Sequence, residues 1–146
     1  KIISWVLSET LEASHVVKCI EKAKQSRHIE NPLIFHCDRG CQYVSEAFHK
    51  ATEGMIHSYS KKAYPWDNAC IESFHALLKR EWINRFKIFN YTHAYKLIFE
   101  YIETFYNTVR IHSHCGYLSP KEYEEQCKKN IAKAKEMYDK LKTENH

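Results

Sequence analysis

Two segments restrict this chain more than any others: an apolar run, Leu33-Ile34-Phe35, that leads into Asp38, and a helical pattern that carries Glu72. Apolar β-branched and aromatic residues bounded by Pro32 and Gly40 favour a short buried strand over a helix. Gly40 permits a tight turn, which leaves the Asp38 carboxylate at the strand's C-terminal edge. Ile71, Phe74, Leu77 and Leu78 recur at helical spacing, so Glu72 sits early in a helix. A strand-end Asp opposite a helix-borne Glu can bring two carboxylates to one point. Hard divalent cations such as Mg²⁺ take such oxygen donors together with phosphate oxygens. Among 18 acidic residues, however, two carboxylates distant in sequence are by themselves ordinary surface charges.

Elements on either side indicate an α/β architecture of helices packed on a sheet. Residues 1–7 read as a strand, with Ile2, Ile3, Trp5, Val6 and Leu7 nearly continuous. Residues 8–10 offer capping side chains to a helix whose apolar stripe is Ala13, Val16, Val17, Ile20 and Ala23. Asn31-Pro32 punctuates the chain before the first buried strand. A short helix over 45–52 turns Phe48 inward, and residues 56–60 read as a further strand. Asp67 or Asn68 is expected to cap the Glu72 helix. On that helix Glu72, His75, Ala76, Lys79 and Ile83 share one face. A longer helix begins near Thr92, with Ala94, Leu97, Ile98, Tyr101, Ile102 and Phe105 on its apolar side. Ser119-Pro120-Lys121-Glu122 has the form of a capping box with Pro at the first helical position. The last helix carries Tyr123, Cys127, Ile131, Ala134, Tyr138 and Leu141 in a stripe among lysines and reads as a surface or interaction helix.

Composition bounds the function classes. Twenty-two basic against 18 acidic residues give a formal charge of +4, compatible with a polyanionic partner without demanding one. Six cysteines contain no Cys-x-x-Cys pair, so reduced thiols are the simple reading. His112, His114 and Cys115 do not make the four suitably spaced ligands of a structural zinc site. No stretch approaches the ~20 apolar residues of a membrane span.

Ordered words carry more information than any single pair. They are His36-Cys37-Asp38-Arg39-Gly40-Cys41-Gln42-Tyr43, Ser60-Lys61-Lys62, Asp67-Asn68-Ala69-Cys70-Ile71-Glu72-Ser73-Phe74, Tyr106-Asn107-Thr108-Val109-Arg110-Ile111-His112-Ser113 and Gly116-Tyr117-Leu118-Ser119-Pro120. In this order they resemble the catalytic core of bacterial insertion-sequence transposases, family three, which share the retroviral integrase fold. The resemblance runs from Lys1 to about Glu125. It implies a ribonuclease H-like fold lacking its first strands, with residues 1–118 a partial catalytic core and 119–146 a C-terminal helical tail.

The resemblance also implies an Asp, Asp, Glu triad that holds two Mg²⁺ (or Mn²⁺) ions. Its second Asp corresponds to Asp38 and its Glu to Glu72, catalytic and metal-binding residues in such enzymes. Between them lie 33 residues, two fewer than the usual thirty-five. The first Asp has no counterpart: the three Asp residues are Asp38, Asp67 and Asp139. The chain is therefore expected to be a C-terminal part, inactive alone. DNA, as element ends and target, is the implied partner, bound by a homo-oligomer at the nucleoid in a bacterial cytoplasm. Lys79 is the leading DNA-binding candidate, followed by Arg80 and Arg85. Lys61, Lys62, Tyr64 and Trp66 form a basic aromatic loop that suits phosphate attraction and base stacking, or else a surface loop whose Trp covers the core. Arg110 and His112 either order the end of the fold or meet DNA phosphates. Three functional readings follow: a transposase core for DNA cleavage and strand transfer, a catalytically dead remnant that binds DNA or a transposase partner, and an inert fragment.

Overall fold

The computed structural model describes residues 1–27, 29, 32–62 and 64–144. Asn31 of the expected punctuation and Ala63 of the basic loop lie outside the described residues. The chain divides into two compact units, one of residues 2–87 and one of residues 88–146 together with Lys1.

The first unit is built on a parallel strand pair. Strand β1 (Ile34–Cys37) lies beside β2 (Ile56–Tyr59), with Ile34 opposite Ile56 and His36 opposite Ser58. Parallel strands need a crossover. It is made here by a 3-10 turn at Cys41–Val44 and the short helix α2 (Glu46–Ala51), which Ser45 caps by accepting the Phe48 N–H. Side chains alternate along β1: Phe35 and Cys37 turn inward, whereas Ile34 and His36 stay exposed on the other face. The core combines Phe48, Cys37 and Ile20 with Val16, Phe35, Tyr43, Ala51 and Tyr59. Fully buried Phe48 receives the rings of Phe35 and Tyr43 edge-on, at 5.5 and 5.6 Å between centroids. Ile20 comes from helix α1 (Ala13–Ser26), whose apolar stripe is the inward face expected from its spacing.

Two expectations at the N-terminus need correction. Residues 1–7 do not form a strand; among the described residues the sheet consists of β1 and β2. The segment follows α1 instead: Ser4 Oγ donates to the Cys19 carbonyl at 2.8 Å, and the Lys22 ammonium lies 5.9 Å from the centre of the Trp5 ring. Strand propensity is realised only where a ladder partner is present, and here a helix occupies that side. Residues 8–10 do not cap α1, because Ser8 and Thr10 bond to one another and the helix starts only at Ala13, after an uncapped Glu12.

Helix α3 (Ala69–Glu81) follows a 3-10 turn at Pro65–Asn68, and a second such turn, Ile83–Arg85, succeeds it. Ile83, expected on the Glu72 face, therefore lies beyond the helix. In the second unit, Asn90 caps α4 (Tyr91–Phe99) by accepting the His93 N–H at 2.8 Å. The helix widens into a π-helical stretch, Glu100–Tyr106. Leu97, Tyr101 and Ile102 are buried there, as the apolar face requires. Helix α5 (Pro120–Glu144) opens with the expected capping box: the Ser119 N–H and hydroxyl donate to the Glu122 carboxylate at 2.9 and 2.7 Å. Lys121 N–H donates to the Asn107 carbonyl, which fastens α5 to the end of the π-helical stretch. Among the described residues no helix is long and apolar enough to cross a membrane.

Candidate active site

The candidate site belongs to the first unit and gathers at the C-terminal ends of β1 and β2. Asp38 follows β1 directly and is exposed. Its Oδ1 accepts the Gly40 N–H at 2.9 Å, so the carboxylate itself makes the turn. Gly40 adopts φ −59°, which any residue can take. An added Cβ would stand 2.6 Å from the Gln42 side-chain amide, the movable end of a flexible side chain that would have to shift.

Bonds beside Asp38 tie the two strand ends together. Ser60 N–H donates to the Cys37 carbonyl at 3.0 Å, and Arg39 Nε donates to the Ser60 carbonyl at 3.2 Å. His36 lies across the ladder with Nδ1 2.9 Å from Ser58 Oγ and Nε2 3.3 Å from Ser60 Oγ. The negative charge of Asp38 also reaches two neighbours. The Cys37 thiol is pushed up by burial first and by Asp38 second. Burial and then Asp38 likewise raise the Tyr43 phenol. Cys37 and Tyr43 stood in the sequence only as letters of the word that carries Asp38, with no role of their own.

From the end of β2 the chain is clamped to the start of α3. The carboxylate of Asp67 accepts the Lys61 backbone N–H at 2.9 Å. This corrects the capping expectation. Asn68 makes no side-chain cap and Asp67 points back to Lys61, because the 3-10 turn already satisfies the first helical donor, Ala69 N–H, through the Trp66 carbonyl.

Glu72 occupies the first turn of α3. It lies roughly 200° around the helix from buried Phe74, at 100° per residue, and is exposed. Among the described residues its carboxylate has no hydrogen bond or ion pair, and none joins it to Asp38. Lys79 is on the same face two turns later, about 10 Å along the axis, and both Lys79 and Arg80 are exposed. Lys61 and Lys62 are exposed too, and Trp66 is 77% exposed, so its ring does not cover the core. Arg110 belongs to the second unit, half-buried, 6.0 Å from the Tyr106 ring centre and 3.2 Å from His112 Nδ1.

As a donor set, Asp38 and Glu72 offer hard carboxylate oxygens with open lone pairs, which suit Mg²⁺ or Mn²⁺ rather than a thiophilic ion. No group of three or more His, Cys, Asp or Glu able to hold a metal occurs among the described residues. The donor chemistry of Asp38 and Glu72 fits such an ion, whereas a complete ligand group is not present among the described residues.

Comparison with known proteins bears on this geometry. Residues 53–120, from the end of α2 through β2, α3 and α4 to the start of α5, match the model of the integrase core domain family. These residues, under half of the chain, are similar to that domain. The chain is 40% identical over 126 residues to the transposase for insertion sequence element IS904 of Lactococcus lactis subsp. lactis (strain IL1403), covering 85% of this chain and 50% of that protein. It is 34% identical over 128 residues to the insertion element IS600 uncharacterized 31 kDa protein of Shigella sonnei, covering 86% and 47%. To the transposase InsF for insertion sequence IS3A of Escherichia coli (strain K12) it is 35% identical over 133 residues, covering 90% and 45%. The chain thus spans about half the length of the transposases it matches. The matched segment carries β2, the clamp at Asp67 and all of α3, whereas Asp38 lies upstream of it.

Proposed function

We propose that this chain is part of a metal-dependent DNA transposase, a polynucleotidyl transferase that cuts DNA at element ends and joins the freed 3′-hydroxyls to target DNA. The observation that carries the reading is the exposed Glu72 carboxylate, unbonded among the described residues, in the first turn of α3, whose entry is clamped to the exit of β2 beside the β1 end that leads into Asp38. The α/β arrangement accords with a ribonuclease H-like core. The names of the matching transposases support the activity.

In this reading Asp38 and Glu72 are the metal ligands. Divalent ions, when bound, supply Lewis-acid activation of the attacking oxygen and stabilise the leaving one. The chain's own contribution is placement. The strand ladder and the Asp38–Gly40 turn hold one carboxylate, α3 holds the other, and no covalent enzyme intermediate is required. Lys79 and Arg80, beyond Glu72 on α3, attract phosphates. Lys61 and Lys62 do so from the loop, where Trp66 offers a face on which a base can stack. Arg110, held against Tyr106 and His112, orders the loop that precedes α5.

A Mg²⁺-dependent nicking and strand-joining assay with Glu72→Gln in the complete transposase tests the assignment. Cleavage is lost while salt-dependent DNA binding persists. Equal cleavage by the variant removes Glu72 from the site. DNA binding by the wild type with no nicking under any divalent ion supports instead a DNA-binding remnant without chemistry.

A further inference from the structure

His36 is bonded through both ring nitrogens, although nothing about a metal-holding sheet edge requires a histidine there. Ser60 Oγ donates to the Cys37 carbonyl at 3.3 Å, so it is available to the imidazole as an acceptor. A ring with its proton on Nε2 donates to Ser60 and accepts the Ser58 hydroxyl at Nδ1, 2.9 Å away. The imidazole therefore spans two successive same-face positions of the neighbouring strand. The register places His36 opposite Ser58, and Asp38 follows two residues further on, immediately beyond the strand. Ser60 is buried: its backbone N–H donates to the Cys37 carbonyl, its own carbonyl accepts from Arg39 Nε, and its hydroxyl lies 3.3 Å from His36 Nε2.

From this geometry we infer that His36 is a positioning residue for Asp38. It locks the last paired residues of β1 to β2, so that the carboxylate leaves the sheet in one direction. The inference rests on the reading of Asp38 as a metal ligand. A two-strand sheet is a weak frame by itself, and metal affinity depends on the groups that orient the ligands as well as on the ligands. His36 holds no metal in this account. Its nitrogens are both engaged by serines, and its effect reaches the ion through Asp38.

Mn²⁺ binding to the 146-residue chain, followed by its electron paramagnetic resonance signal, tests the inference alongside thermal unfolding of each variant. Asp38→Asn tests the underlying reading and abolishes binding. His36→Ala weakens binding about 10-fold or more, the range typical of lost ligand-orienting partners. His36→Gln recovers most of the affinity, because its amide N–H reaches the Nε2 position. His36→Asn, which restores only the Nδ1 position, recovers less. A purely structural histidine would show no such ordering among variants of equal unfolding temperature. Should His36→Ala fail to fold, Ser58→Ala removes one bond of the clasp and weakens Mn²⁺ in the same direction. Unchanged affinity in His36→Ala, or in Ser58→Ala where that variant decides, while Asp38→Asn abolishes binding overturns the role of His36 alone. Binding that survives Asp38→Asn, or its absence from the wild type, overturns the reading of Asp38 and the inference with it.

Discussion

The Asp67 carboxylate and the Lys61 backbone N–H, 2.9 Å apart, join the exit of β2 to the entry of α3. The bond closes a loop at which Lys61, Lys62 and Trp66 are exposed to solvent. Because the bond is exposed, its contribution to stability is modest, about 1 kcal/mol. Asp67→Ala is expected to destabilise the first unit by that amount and to abolish hydrogen-exchange protection of the Lys61 amide. Asp67→Asn keeps an acceptor and retains most of the protection. An equally protected Lys61 in the alanine variant would show that other contacts close the loop.

Phe48 is the side chain on which the first unit depends. It is fully buried between Phe35, Tyr43 and His57. Phe48→Ala removes those edge contacts and leaves a cavity, at a cost of roughly 3–5 kcal/mol. Urea unfolding monitored by circular dichroism reads the loss. A cost below about 1 kcal/mol would mean that the core closes over the gap, contrary to the packing described.

Cys37 gives the first unit a pH dependence of definite sign. Burial and the Asp38 charge raise its folded pKa above the unfolded value. The stability contributed is fully present below the ordinary thiol pKa of about 8.5 and is lost as pH rises through the raised folded value. Urea midpoints should therefore fall between pH 8 and 10, and fall less in Cys37→Ala. Alkylation gives a second readout. Exposed Cys41 and Cys70 react with iodoacetamide before Cys37, and early labelling of Cys37 would contradict its burial.

The start of α5 responds to acid. Ser119 donates from its hydroxyl, and second from its backbone N–H, to Glu122, which holds that carboxyl below its ordinary value. A depressed carboxyl contributes stability that is present above the unfolded pKa, about 4.3, and is lost as pH falls through the folded value. Ser119→Ala removes the cap, worth about 1 kcal/mol, and should make the second unit less sensitive to acid between pH 5 and 3. Amide exchange in the first turn of α5 reports both effects.

DNA binding supplies the remaining prediction. If Lys79 neutralises one phosphate, Lys79→Ala weakens binding uniformly across sequences and lowers the slope of log affinity against log salt by about 1. Titration at several salt concentrations measures the slope. An unchanged slope would remove Lys79 from the DNA contact.

Elements held together by local pattern were legible in the sequence. The stripe on α1, the inward Phe48, the helix that carries Glu72 and the Ser119–Glu122 box all follow from spacings of three and four residues or from adjacent side chains. Residues 1–7 failed because strand propensity describes a surface awaiting a partner. The bonds from Ser4 and the packing of Lys22 on Trp5 commit the segment to α1. Asp67 and Asn68 have the chemistry of caps. Whether they act as caps depends on the preceding turn, which here had already supplied the Trp66 carbonyl to Ala69. His36 was visible only as one letter of a motif, since its partners lie 22 and 24 residues away.

The sequence by itself determined the order of the elements from α1 onward, the integrase-like words and the two carboxylates, because local periodicity and residue type are properties of the chain before it folds. Tertiary structure alone decided the parallel register of β1 and β2, the clasp of His36 on Ser58 and Ser60, and the return of Asp67 to Lys61. Each of these is a directional bond between residues distant in sequence or across a turn. Its formation depends on which donors and acceptors the packed backbone has left unsatisfied.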